Sequence, residues 1–300
     1  MNGILIVDKP EGFTSHDVVG KLRKILRIKS IGHTGTLDPF ATGVIVVLVG
    51  KATRLAQFLD KSEKEYLATI RFGFETDTGD RTGSPKLEVQ NPKSDIQIAE
   101  IERTLATFRG ETWQTPPMYS AKKIDGKKLY ELARQGKEIE RKPVKITVSK
   151  LEIVELRRPT NELQIRVAVS AGTYIRVLAE DIGRELGTGA HLTELRRTRA
   201  GAFDLSEAVT LQVIENLAGE NQLEKVLISP NTALGHLPAV ILDETAVNKT
   251  TRGMKFFAPV SNFENNEFVR MNDERENLIA IGAFNQFEKT IQPRVVLFEK

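Results

Sequence analysis

Residues 32–50 read GHTGTLDPFATGVIVVLVG. The first part is a constrained loop, with glycines at 32, 35 and 43, a proline at 39 and one carboxylate, Asp38. The second part is a continuous apolar run of strand length, the pattern of a strand buried on both faces. A single charged group therefore stands where a loop enters a core, and three roles are open to the loop that carries it. Phosphate binding of the P-loop kind is excluded. The nearest match ends in Gly50-Lys51, but Ile45 stands where the first glycine belongs and Ala52 where the hydroxyl belongs. Asp38 followed by Pro39 fits a helix N-cap with proline at the first helical position. The same pair fits a catalytic carboxylate. Pro39 biases Asp38 toward extended backbone, and Gly35 and Gly43 let the chain pass close to a ligand. With no acid beside it in sequence, Asp38 is expected to keep an ordinary pKa near ~4 and to be anionic at pH 7. Such a group serves as nucleophile or base, not as half of an acid–base pair. Spacing alone leaves cap and catalyst open.

Outward from this stretch the chain alternates strands and helices. Ile4–Val7 is a short apolar strand. Ser15 is placed to cap a helix over Val18–Leu26, with apolar residues at 18, 19, 22, 25 and 26. Tyr66–Phe74 alternates in the manner of a strand, and TDTGDRTG follows as a polar turn. Ile98–Phe108 reads as a helix and Leu163–Val169 as a strand. A further helix reaches about Leu186, with Ile175, Leu178, Ile182 and Leu186 on one face. Interspersed elements of this kind predict a mixed α+β domain around a largely antiparallel sheet. Beyond Asn231 come short strand-like runs, Ala239–Leu242, Leu278–Phe284 and Val295–Phe298, which predict a small β-rich module. The stretch PNTALGHLP (230–238) is the expected linker. The domains are therefore placed at 1–231 and 232–300.

Composition narrows the chemistry. The 300 residues contain no cysteine, which excludes disulfides and thiolate catalysis. The four histidines (16, 33, 191, 236) lack metal-ligand spacing with one another. The turn TDTGD lacks the acids of a calcium loop. The opening MNGILIVDKPEG is charged too early for a signal peptide, and no apolar run approaches the ~20 residues of a membrane span. The formal charge is only +3, but its distribution is uneven. Residues 122–145 hold nine Lys or Arg against four acids, and LRRTRAG adds Arg196, Arg197 and Arg199. Each run alone fits a solvated surface. Two in one chain point to a polyanionic partner. Residues 233–300, with eight bases and nine acids, form no electrostatic clamp.

Five stretches occur in order: KPEGFTSHDVV (9–19), GHTGTLDPFATGVIVVLVGKATRL (32–55), EKEYLATIRFGFETDTGD (63–80), VSAGTYIRVLAEDIG (169–183) and LRRTRAGAF (195–203). Together they resemble the bacterial tRNA pseudouridine synthase family acting on uridine-55 of the T loop, the TruB family. The resemblance covers nearly all of residues 1–210. Beyond 232 it is a looser likeness to a PUA-like RNA-binding module. It implies a central, mostly antiparallel sheet with flanking helices, and a cytoplasmic enzyme using no cofactor and no metal. It also implies a monomer acting on the tRNA T stem-loop, with no membrane and no guide RNA. On this sequence Asp38 matches the family's essential aspartate, and Arg176 the arginine that pairs with it. Tyr66 matches the aromatic that packs on the flipped base. His33, Tyr174 and Leu195 match residues around that base. The family's thumb-like insertion falls at about 115–145. Lys122, Lys123, Lys127, Lys128 and Lys137, with Arg196 and Arg197, are the expected contacts to the RNA backbone. A non-catalytic RNA-binding or tRNA-folding protein would share the basic insertion but would not need Asp38, Tyr66 and Arg176. A guide-RNA-dependent synthase, as in related eukaryotic and archaeal proteins, is disfavoured by the insertion.

Overall fold

The computed structural model describes residues 1–88, 96–120, 122–124, 126–133, 135–258 and 262–297. The chain begins β1 (Gly3–Lys9), α1 (Ser15–Leu26), β2 (Ile31–Thr34), β3 (Thr42–Val49), α2 (Ala56–Leu59), β4 (Lys64–Phe72), and the hairpin β5 (Phe74–Thr76) with β6 (Pro85–Glu88). It continues α3 (Ile98–Phe108), β7 (Gly110–Gln114), the short ribbon β8 (Lys123–Ile124) and β9 (Lys127–Lys128), α4 (Leu129–Ala133), β10 (Val144–Arg157), β11 (Glu162–Val169), α5 (Ile175–Glu185) and β12 (Ala190–Ala200). The remainder is β13 (Phe203–Asp204), α6 (Leu211–Gly219), α7 (Pro230–Ala233), β14 (Ala239–Leu242), α8 (Glu244–Thr251), β15 (Phe256–Phe257), β16 (Phe268–Asp273), β17 (Leu278–Asn285) and β18 (Thr290–Val296).

The main sheet runs β1-β3-β12-β4-β11-β10-β7, with β2 also on β3 and β13 on β12. It is antiparallel except where β12 meets β3. The continuous apolar run of β3 has a direct cause. Val44, Val46 and Leu48 enter one core with Ile4, Ile6 and Leu55, while Ile45, Val47 and Val49 enter another with Val18, Val19 and Leu22 of α1. A strand covered on both faces has no polar side to present. The alternating strands β4 and β11 bury Ala68, Ile70, Ile165 and Val167 beneath α3 and α5. The mixed α+β architecture is thus the one the pattern predicts.

A second, five-stranded sheet, β14-β16-β17-β18-β15, holds the C-terminal β-rich unit. Leu278, Ile281, Val295 and Leu297 share a core with β1 and β3, and Phe58 meets Phe268 edge-on with ring centroids 5.0 Å apart. Its last strand is Thr290–Val296 rather than Val295–Phe298, because the pairing with β17 extends N-terminally; Phe298 lies outside the described residues.

Three local expectations are corrected. The cap of α1 is Thr14, whose hydroxyl accepts from the Asp17 N–H while Asp17 bonds back to the Thr14 N–H, a reciprocal capping box. Ser15 is instead the first helical residue, buried, with its hydroxyl turned to the 32–43 loop. Strand β4 stops at Phe72, because Gly73 (φ +121°) breaks the alternation before β5. The basic run LRRTRAG, which alone fits a solvated surface, lies up to Ala200 in β12, in the middle of the sheet.

Candidate active site

The 32–43 loop is held from four sides. Ser15 Oγ accepts the Leu37 N–H at 2.9 Å. Gly12 N–H donates to the Pro39 carbonyl at 2.9 Å. Lys9, wholly buried at the end of β1, donates to the carbonyls of Pro10, Phe13 and Pro39 at 2.9, 2.6 and 3.2 Å. Burial pushes the Lys9 ammonium down to about 8, against the opposing pull of Asp38. Arg197, 1% exposed, donates Nε to the Val44 carbonyl and Nη2 to the Gly35 carbonyl. Gly43 (φ +99°) passes so close to β12 that a Cβ there would lie 2.2 Å from the Arg197 carbonyl oxygen. No helix follows Asp38; the Ala41 N–H closes a turn on its carbonyl. The cap role is thereby excluded, and the side chain is free for other work.

That work is an ion pair. Arg176 Nη2 donates to Asp38 Oδ1 at 3.2 Å, and its Nε lies 2.9 Å from Oδ2, so the two charges meet at two points. Nη1 also donates to the Thr78 carbonyl (2.6 Å) and Nη2 to the Tyr119 carbonyl (2.8 Å). Asp80 lies behind, its Oδ2 3.8 Å from Arg176 Nε, with its Oδ1 accepting from the Thr78 hydroxyl and the Thr82 N–H and hydroxyl. The arginine side chain is 5% exposed and Asp38 34% exposed, so the cation is spent on positioning while one edge of the largely buried carboxylate reaches the cavity. The expectation of an ordinary Asp38 pKa is corrected. Burial pushes the carboxyl up; Arg176 opposes this, and the Asp80 charge, distant in sequence but brought close by the fold, adds to it.

Arg176 is set in place by the strand-to-helix junction before α5. The buried Gln114 clamps that junction, accepting the Tyr174 N–H at 2.8 Å and donating to the Tyr174 carbonyl at 3.0 Å. Glu180, one helical turn beyond Arg176, lies against the backbone of Gly79, where a Cβ would be 2.8 Å from its Oε1. Burial pushes its carboxyl up to about 7. The folded chain therefore keeps this proton between about pH 4.5 and 7 where the unfolded chain has lost it. The stability that proton contributes is lost as pH rises through 7. Glu180→Gln is expected to raise stability at pH 8 by about 1–2 kcal/mol and to leave it unchanged near pH 4.5. Melting curves at the two pH values check this, and an equal shift at both would contradict it.

A cavity of about 270 Å³ opens in front of Asp38. It is just under the ~300 Å³ at which ligand pockets commonly begin. Asp38, Tyr66, Tyr174, Arg176 and Leu195 all line it, as does Arg197. His33 lines an adjoining hollow that shares Gly35, Thr36 and Asp60 with the first. Its ring lies edge-on to His16, and its Nδ1 is buried without a partner among the described residues. Burial holds the imidazole below its ordinary pKa, toward the neutral form.

The basic residues divide. Lys122 and Lys137 are exposed. The backbone of Lys123, Lys127 and Lys128 forms the β8–β9 ribbon, and their side chains fall outside the described residues. Arg196 is half-exposed and paired with Asp8 at 2.8 Å. Arg197 is withdrawn as a phosphate contact: it lies inside the sheet, and its Nε and Nη2 are bonded to backbone. Five residues of the site escaped the sequence reading: Lys9, Lys64, Asp80, Gln114 and Ser120. Lys9 carried a signal, since it falls on the same face of β1 as Leu5 and Val7, where a cation needs a buried partner. Lys64 is buried in the cavity wall and donates to the Asp60 carbonyl.

The arrangement supplies a carboxylate locked by a cation whose other hydrogen bonds, among the described residues, go to the Thr78 and Tyr119 carbonyls. With Asp60 the other acid of the lining, the Arg176-bound Asp38 fits the role of a nucleophile or base. The TruB family pseudouridylate synthase N-terminal domain pattern matches residues 23–175, and the tRNA pseudouridylate synthase B C-terminal domain pattern matches 176–236. The chain is 43% identical over 288 residues to tRNA pseudouridine synthase B of Solibacter usitatus, covering 94% of this chain and 95% of that one. It is 40% identical over 282 residues to the protein of the same name from Aquifex aeolicus, with 94% and 95% covered. Among solved structures it is similar to a chain of a Cbf5-Nop10-Gar1 complex, with a TM-score of 0.77 and 29% identity, covering 99% of this chain and 85% of that one. A chain of an H/ACA RNP bound to a substrate RNA containing 2′-deoxyuridine gives a TM-score of 0.76 at 27% identity, with 99% and 85% covered.

Proposed function

Because the chain belongs to the TruB family of pseudouridylate synthases, we propose that it converts uridine-55 in the T loop of tRNA to pseudouridine, with Asp38 as the essential anion. The observation that carries this reading is the Arg176–Asp38 ion pair at the wall of a cavity of about 270 Å³. The reaction is an isomerisation. The N1–C1′ bond breaks, the uracil turns, C1′ bonds to C5, the C5 proton leaves and N1 ends protonated. Nothing is added from solvent, so a single positioned carboxylate is a sufficient ionic group, and the half-exposed Asp38 provides it. A base within folded RNA must leave its stack to reach such a cavity, at a cost of a few kcal/mol. Tyr66 packs on the flipped uracil and returns roughly 1–3 kcal/mol. Leu195 closes the other wall, and His33 stands where the base leaves the loop.

Residues 1–231 act as the catalytic domain and 232–300 as a PUA-like RNA-binding module. The insertion at about 115–145 grips the T arm. The chain acts as a cytoplasmic monomer without a guide RNA; none of the described helices is long and apolar enough to cross a membrane. The basic run 122–145 lies in the insertion and the last 68 residues are near neutral, so recognition centres on the T arm. A T stem-loop hairpin is therefore expected to be converted at its single target uridine, scored by mapping pseudouridine in the product. Conversion of full-length tRNA alone would contradict it. Lys122→Ala and Lys137→Ala are each expected to weaken RNA binding and to flatten its dependence on salt by about one unit of slope. Titrations between low and moderate salt measure this. An unchanged slope assigns those lysines to plain surface.

A further inference from the structure

Ser120 is 5% exposed and its hydroxyl is buried, yet that hydroxyl has no hydrogen-bond partner among the described residues. Buried polar groups are nearly always paired, so an orphan needs a reason. Three other buried side-chain atoms share this condition: His33 Nδ1, Thr250 Oγ1 and Asn272 Oδ1. Of the four residues, Ser120 is the one that lines the cavity in front of Asp38. Its backbone is fixed. The Ser120 N–H donates to the Met118 carbonyl at 2.9 Å, and the Tyr119 carbonyl accepts Arg176 Nη2 at 2.8 Å. One guanidinium thus holds the carboxylate on one side and the peptide carrying Ser120 on the other. The hydroxyl is positioned relative to Asp38 but left unsatisfied.

Resting on the nucleotide-isomerising reading of the site, we infer that Ser120 Oγ takes its missing hydrogen bond from the flipped nucleotide, at a sugar hydroxyl or a uracil carbonyl. A hydroxyl both donates and accepts, and so can serve either group. Alanine would fill the space equally well, and in the free protein would remove an unpaired polar group. Ser120 also stands at the root of the basic insertion, so RNA gripped there bears on the segment that carries the hydroxyl.

The test is Ser120→Ala, compared with wild type on a T stem-loop and in the RNA-free protein. The RNA-free melting temperature is expected to stay level or rise, because an orphan is removed. The value of kcat/KM is expected to fall about ten-fold, because a site built to bond a polar group loses that bond. Hairpins carrying 2′-deoxyuridine, 2-thiouridine or 4-thiouridine at the target then locate the contact. The penalty of Ser120→Ala should shrink on the substrate that lacks the bonded oxygen. A kcat/KM within two-fold of wild type, a melting temperature that falls by several degrees, or a full penalty on all three hairpins overturns the assignment. If wild type itself forms no pseudouridine, the functional reading fails instead, and the two failures are told apart.

Discussion

Asp38→Asn is expected to abolish pseudouridine formation while leaving a folded protein that still binds tRNA. Asparagine matches the shape of aspartate but carries no charge, so it cannot act as nucleophile or base. The loop itself depends little on the carboxylate. Ser15, Gly12, Lys9 and Arg197 pin its backbone, and none of them bonds the Asp38 side chain. Arg176 loses one partner, but it keeps the Thr78 and Tyr119 carbonyls, with Asp80 at 3.8 Å as remaining countercharge. The stability loss should therefore be about 1–2 kcal/mol, below the ~3–5 kcal/mol of a buried charge left wholly unpaired. RNA affinity should be nearly unchanged, because phosphate contacts supply most of it. Melting curves and tRNA titrations of the variant check these two statements. A variant that fails to fold would place Asp38 in the architecture rather than the chemistry.

Replacing Arg176 is expected to do more damage. Arg176→Met leaves Asp38 and Asp80 facing each other with no cation between them, and strips the Thr78 and Tyr119 carbonyls of their donor. A loss of about 3–5 kcal/mol is expected, together with activity. Arg176→Lys is the more informative variant. Lysine keeps the charge but cannot present a fork to the carboxylate while reaching two carbonyls. It will hold the Asp38 anion less firmly, so the Asp38 pKa will rise further. With Asp38 acting as the anion, activity is expected to be lost as pH falls through that pKa. Burial pushes the Asp38 carboxyl up, so the acid limb of wild type is expected above the ordinary carboxylate range. In the lysine variant the limb should move to still higher pH, with a lower plateau. A pH profile of kcat/KM measures it, and an acid limb at the wild-type position would separate Arg176 from the ionisation of Asp38.

The sequence carried much of the fold because its strong signals are local. The double-sided burial of β3, the alternation of β4 and β11, and the apolar face of α5 each arise from a period readable in one window. The Asp38–Arg176 pair spans 138 residues, and its assignment rested on resemblance rather than on spacing. What escaped notice was set by long-range packing. Asp80 looked like one acid of a polar turn, and only the fold brings it behind Arg176. Arg197 looked like surface charge because a basic run in isolation usually is. Its burial follows from β12 lying between β3 and β4, where the guanidinium satisfies carbonyls of the 32–43 loop and of β3. Ser15 lost the cap to Thr14 because the reciprocal bond with Asp17 needs three-residue spacing, which only Thr14 has.

If one positioned carboxylate isomerises a tRNA uridine without outside help, the chain needs no other component. The most direct test uses the purified chain alone, with unmodified tRNA carrying tritium at uracil C5 and no guide RNA. Wild type is expected to release tritium up to one equivalent per tRNA, and Asp38→Asn to bind the same tRNA and release none. No release by wild type, or release by Asp38→Asn at a near-normal rate, would contradict the account.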